Sequence, residues 1–257
     1  MPRLLLPLLL VLGLSPFSVW AQSTPTISII IDDLGYRLAE GRQVIDLPGP
    51  LAYAVIPFTP HGKVLAEAAH QAGKEVMLHL PMQSVEGEAA SAGALMLDME
   101  HQELEATLQA SLDDIPHAIG LNNHQGSLLT RHPGHIAWVM AAVQARGDLF
   151  FIDSRTSRQS VAEQVAREHQ EPTLRRHVFL DHLPNEAFIR SQFEKLIERA
   201  MRHGYAVGIG HPYPETIKVL SELLPQLTAR GVTLLPISKQ VRQHSPVQPV
   251  LRLTEKH

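Results

Sequence analysis

Eight short β-rich runs alternating with longer helical patterns constrain this chain more than any other feature. The runs are "TISIIID" (26–32), "LAYAVIP" (51–57), "EVMLHLP" (75–81), "AIGLNNH" (118–124), "LFFID" (149–153), "HVFLD" (177–181), "YAVGIG" (205–210) and "VTLLPIS" (232–238). Most are continuously apolar rather than alternating, which marks strands covered on both faces, as in a parallel sheet. Helical patterns occupy 62–73, 99–116, 133–147, 185–204 and 214–231. Leu104, Leu108 and Leu112 stand four apart, and the segment from Pro133 to Gly147 has the expected Pro start and Gly stop. Pro225 should break the last helix. The alternation predicts an α/β architecture of the (β/α) barrel kind, with a doubly wound open sheet as runner-up.

Residues 1–21 stand apart from this pattern. Arg3, a Leu-rich stretch and small residues up to Ala21 have the layout of a secretory signal peptide. Pro7, Gly13 and Pro16 interrupt the apolar run, which is short for a membrane span of about 20 residues. The expected protein is therefore exported across the inner membrane, periplasmic, and without a stable span after cleavage. Residues 22–238 read as one domain with no repeat or linker, and 239–257 as a polar, Pro-containing, loose tail.

The chain has no cysteine, so disulfides and thiolates are excluded and a metal would have to be held by His, Asp or Glu. A net charge of -4 without a basic stripe argues against a nucleic-acid partner. Of the 15 histidines, His61, His70 and His101 fall on or beside helices, His132 and His135 flank a helix start, and His244 and His257 lie in the tail. The others are placed differently. The strand ends carry Asp32 and Asp33, then His79, then Asn122, Asn123 and His124, then Asp153 and Arg155, then Asp181, and finally His211. In a parallel barrel every C-terminal strand end faces one mouth, where such enzymes place their chemistry. Any one of these residues could be a cap or turn former. Asp and two His on separate strands, however, are what a divalent-metal site requires.

The segments "IIIDDLGY", "EVMLHLPMQ", "GLNNHQGS", "FFIDSRTS", "VFLD" and "GIGHPYPETI" resemble, in order, the motif series of the divergent polysaccharide deacetylases, distant relatives of NodB-type carbohydrate esterases. The resemblance runs from about Ile27 to Ser238. It implies a distorted (β/α) barrel of seven to eight strands and a mononuclear metal site that removes acetyl groups from a polysaccharide or cell-wall glycan. Carried over, Asp32 becomes the general base, Asp33 a metal ligand, His79 the first histidine ligand and His211 the late catalytic histidine. The position four after His79 is Gln83, where the relatives have a second histidine, and His124 is the substitute at the next strand end. The ligand set Asp33, His79 and His124 suits zinc first, with cobalt, nickel or iron also compatible. Asp153 and Arg155 are expected to steady His211 or to touch sugar hydroxyls, Asn122 and Asn123 to support the ligands from behind or to contact substrate, and Asp181 to contact substrate. The missing histidine keeps a second reading open: a weakly active or inactive glycan-binding scaffold on the same fold.

Overall fold

A computed structural model describes residues 24–85 and 91–247; the signal-like segment and the end of the expected tail, 248–257, lie outside them. Nine strands form one parallel sheet: β1 (Thr26–Leu34), β2 (Ala52–Val55), β3 (Glu75–Met82), β4 (Ala118–Gln125), β5 (Phe151–Asp153), β6 (Thr173–Arg175), β7 (Val178–Phe179), β8 (Tyr205–Gly210) and β9 (Thr233–Leu234). The order is β6-β5-β4-β3-β2-β1-β8-β7, with β9 also pairing β1. The helices are α1 (Leu38–Ile45), α2 (Gly62–Gln71), α3 (His101–Asp114), α4 (Pro133–Arg146), α5 (Ala162–Glu168), α6 (Glu186–His203), α7 (Pro214–Leu223) and α8 (Ile237–His244).

The two ends of this sheet are consecutive in the chain, and that brings the barrel round on itself. The amide of Arg176 donates to Asp153 O at the end of β5, and the amide of His177 donates to Val207 O in β8, both at 2.9 Å. One short segment therefore serves both edges, although β6 and β7 do not pair with each other. Because it changes partner halfway, it reads as two stubs, and only its second half is visible as an apolar run. The helix from Pro214 stops at Leu223, where Pro225 forces a tighter turn, as its ring and missing N–H dictate.

Two apolar clusters follow from the strand pleat. Ile27, Ile29 and Ile31 face outward with Leu65, Leu108, Val139 and Phe193 from the surrounding helices. Ile30, Met77, Ile152, Leu174, Val207 and Ile209 face the barrel interior, joined there by Ile237 and Val241 of α8. That helix crosses the N-terminal ends of the strands. Gln240 Nε2 reaches Thr26 Oγ1 at 3.1 Å, Ser238 Oγ donates to Glu75 Oε1 at 2.5 Å, and the amide of Thr173 donates to Ser245 Oγ at 3.0 Å. The stretch expected to be loose from residue 239 thus begins as a plug in the barrel floor, with Gln240 and Val241 buried. Its sparse apolar residues sit on one narrow stripe, which mean polarity hides.

Candidate active site

The site begins with a fault in β1. Ile31 pairs with Tyr53 but Leu34 pairs with Val55, so β1 carries one residue more than β2 across this step. This is a β-bulge, and Asp33 within it has φ of 60°, in the left-handed region. Regular alternation would send Asp32 inward, Asp33 outward and Leu34 inward. With the extra residue, Leu34 faces outward into the helix-side core and both aspartates are left facing the mouth. The opposed orientation that a plain strand gives neighbours does not hold here. Both carboxylates reach the same histidine: His79 Nε2 lies 3.1 Å from Asp33 Oδ1 and 3.6 Å from Asp32 Oδ2.

His79 follows Met77 on the inward face of β3. It pairs in register with Asn122 on β4, and His124 stands opposite Pro81. His124 Nδ1 lies 2.9 Å from Asp33 Oδ1. Ligand atoms of Asp33, His79 and His124 all fall within 4.8 Å of one another, the one such group among the described residues. Asp33 Oδ1 is buried between two imidazole nitrogens yet makes no hydrogen bond of acceptable geometry with either. Three ligand atoms this close together, one of them a buried carboxylate oxygen, fit a cation between them. The donor set, two imidazoles and one carboxylate, suits a catalytic divalent metal with open positions. Gln83 takes no part: its Oε1 accepts from Leu97 N at 2.8 Å and its carbonyl from Leu128 and Leu129, pinning loops.

The two aspartates differ electrostatically. Burial pushes Asp32 above the ordinary carboxylate range, opposed by the charges of His79 and His211 and a hydrogen bond from Asn122. Burial also pushes Asp33 up, but the neighbouring imidazoles of His124 and His79 outweigh it and hold this carboxyl well below that range. The two neighbouring carboxyls are thus driven apart, Asp33 held ionised and Asp32 made the more basic of the pair. His211, in line with Val207 and Ile209 on the inward face of β8, has its Nε2 3.7 Å from Asp33 Oδ2. Asp181 grips it from below, accepting from His211 N at 2.6 Å, from Nδ1 at 2.9 Å and from Thr216 Oγ1 at 2.7 Å. Burial pulls the imidazole down, but the bond and charge of Asp181, with Asp33 and Asp32, carry it up to about 9.

The structure thus brings Asp32, Asp33, His79, His124 and His211 together, and places the other expected residues elsewhere. Ile152 points into the barrel, so Asp153 points out. Its carboxylate accepts from Arg155 N and Ser160 Oγ, both at 2.8 Å, and so fastens the loop before α5. The Arg155 guanidinium donates to Ser160 O and Arg158 O in that same loop. Neither steadies His211; Asp181 does. Asn122, Asn123 and Asp181 are at most 1% exposed, which removes them from reach of a sugar. Asn123 accepts from Ser154 N at 2.9 Å and donates to Gln125 O at 2.8 Å. Arg176 is a residue the sequence did not single out. It follows inward-facing Leu174 by two, donates to Ser154 O at 2.6 Å and Arg155 O at 2.8 Å, and lies 4.7 Å over the Phe179 ring. Its charge acts on Asp32. The signal lay in "TLRRHVF", where the double Arg straddles the change of partner.

Fold and centre together define a NodB-like parallel barrel, the architecture of carbohydrate esterases of the deacetylase kind. The chain belongs to the divergent polysaccharide deacetylase family, whose model matches residues 29–241. It is 36% identical over 227 residues to the uncharacterized protein YibQ of Escherichia coli (strain K12), covering 87% of this chain and 70% of that one. An uncharacterized protein from Agrobacterium tumefaciens C58 superposes with a TM-score of 0.81 at 22% identity, covering 86% of this chain and 90% of that one. The catalytic domain of a peptidoglycan N-acetylglucosamine deacetylase from Eubacterium rectale ATCC 33656 shares the fold at a TM-score of 0.53 and 16% identity, covering 87% and 91%.

Proposed function

We propose that this protein is an exported, metal-dependent deacetylase that hydrolyses acetyl groups from a polysaccharide or cell-wall glycan. The observation that carries the reading is the convergence of Asp33, His79 and His124 beside a separate buried carboxylate, Asp32, and the Asp181-held His211. A divalent cation held by that triad, zinc the first choice, would polarise an acetyl carbonyl and lower the pKa of a water. Asp32 would take the proton of that water as its oxygen bonds to the carbonyl carbon; burial makes this carboxylate the stronger base of the pair. His211 carries a proton at neutral pH by virtue of Asp181, and would give it to the sugar nitrogen or oxygen as the bond to the acyl carbon breaks. Acetate and a free amine or hydroxyl result. Asp33 and His211 sit toward the opening, with 35% and 14% of their side chains exposed, while Asp32 lies beneath at 4%. Export rests on the leader-like residues 1–21.

Metal analysis of the purified protein, followed by acetate release from chitooligosaccharides and peptidoglycan fragments, tests the reading. One equivalent of metal and acetate release are expected, with Asp33→Ala losing the metal and at least about 100-fold in rate. Glycan affinity with neither metal nor acetate would instead make the protein a binding scaffold.

A further inference from the structure

We propose that Asn122 is a positioning residue that couples the metal centre to the general base through one side-chain amide. This rests on the functional reading above. Asn122 is fully buried on the inward face of β4. Its Nδ2 donates to Asp32 Oδ1 at 2.8 Å and to Ser154 Oγ at 3.1 Å, and its Oδ1 pairs with His79 Nδ1 at 2.9 Å. Ionised, as the proposed base must be, the Asp32 carboxylate only accepts, and it fixes the NH₂ end of the amide toward itself. The oxygen end must then face His79, and Nδ1 must carry the hydrogen of that bond. In the neutral ring that a cation ligand requires, the other nitrogen, Nε2, is left as a lone pair, and it lies 3.1 Å from Asp33 Oδ1. A cation ligand needs that tautomer, and a residue behind the ring commonly sets it. Only a side chain with a donor end and an acceptor end can serve Asp32 and His79 at once. The Cα register that sets His79 against Asn122 puts the amide in place.

Asn122 therefore touches neither cation nor sugar, yet governs the hold on one and the orientation of the base toward the other. Asn122→Ala removes both contacts. Asn122→Asp keeps an acceptor for His79 while setting a second carboxylate against Asp32. Zinc affinity is measured by calorimetry against a competing chelator, alongside kcat and KM for acetate release. Asn122→Ala is expected to weaken zinc binding about 10–100-fold. Asn122→Asp is expected to bind zinc no more weakly than the wild type, while kcat falls and KM stays. In the zinc-loaded wild type, NMR of the His79 ring should show a slowly exchanging hydrogen on Nδ1.

Wild-type zinc affinity in Asn122→Ala would overturn the proposal, as would equal weakening by both variants, which marks a merely structural residue. A hydrogen on Nε2 of His79 would overturn it as well, and that measurement holds even if Asn122→Ala does not fold. A wild type that takes up no zinc would bring down the functional reading itself, a result distinct from equal affinities.

Discussion

Asp32 and Asp33 are covalent neighbours in opposite circumstances, one buried behind Asn122 and the other turned to the mouth by a left-handed backbone. Their residue types were legible at the end of an isoleucine run, and so were His79, His124 and His211 at other strand ends. Which way each side chain points was not. Strands covered on both faces carry no polar alternation from which to count, so Asp153 stands out in the sequence where the inward residue is Ser154. Glu171 lies outside the site and offers a cleaner titration. Its Oε1 is buried without a partner, and burial pushes the carboxyl from 4.5 up to about 8. Between those values the folded chain keeps a proton that the unfolded chain has lost, so this residue's cost to stability grows as pH rises through that window and is constant above it. Glu171→Gln should add stability at about pH 9, by at most roughly 3–5 kcal/mol, and nothing at about pH 4. Urea melts at the two pH values measure this; an equal gain at both would refute the assignment.

At the scale of elements, the long continuous runs gave β1, β3, β4 and β8 within two residues, and Pro225 marked the end of α7. Shorter pieces escaped. Helices α1 and α5 have seven or eight residues, too few for a period to show. Strand β6 has three residues, and the bulge in β1 leaves no mark in composition. Helix α8 escaped because its sequence is polar, although it carries Ile237 and Val241 into the barrel floor. Placing a charge there tests its role as a plug. Val241→Asp, at a position 2% exposed, should cost roughly 3 kcal/mol or more. The check is a chemical denaturation midpoint; an unchanged midpoint would mean that the helix rests on the floor without sealing it.

For the whole molecule, five side chains from β1, β3, β4 and the end of β8 come together, so the centre depends on one continuous run of the sheet, β4-β3-β2-β1-β8. A cation bound there should in turn hold those elements together. At zinc about 100-fold above its Kd, folding should gain roughly 2.7 kcal/mol, or about 5–10 °C in Tm. Thermal melts with zinc and with a chelator measure the difference, and Asp33→Ala should abolish it; a zinc shift that persists in that variant would place the ion elsewhere. The plug of α8 bears on traffic. Among the described residues the barrel is filled by inward side chains and stoppered at its base by α8, so the proposed glycan strand would have no route through the middle and would be met from outside. On the proposed reaction, each acetyl group would enter as a side branch dipped into the mouth, and acetate would have to leave by the way the sugar came. The chain would be worked like a rail passing a workbench, not like thread through a needle.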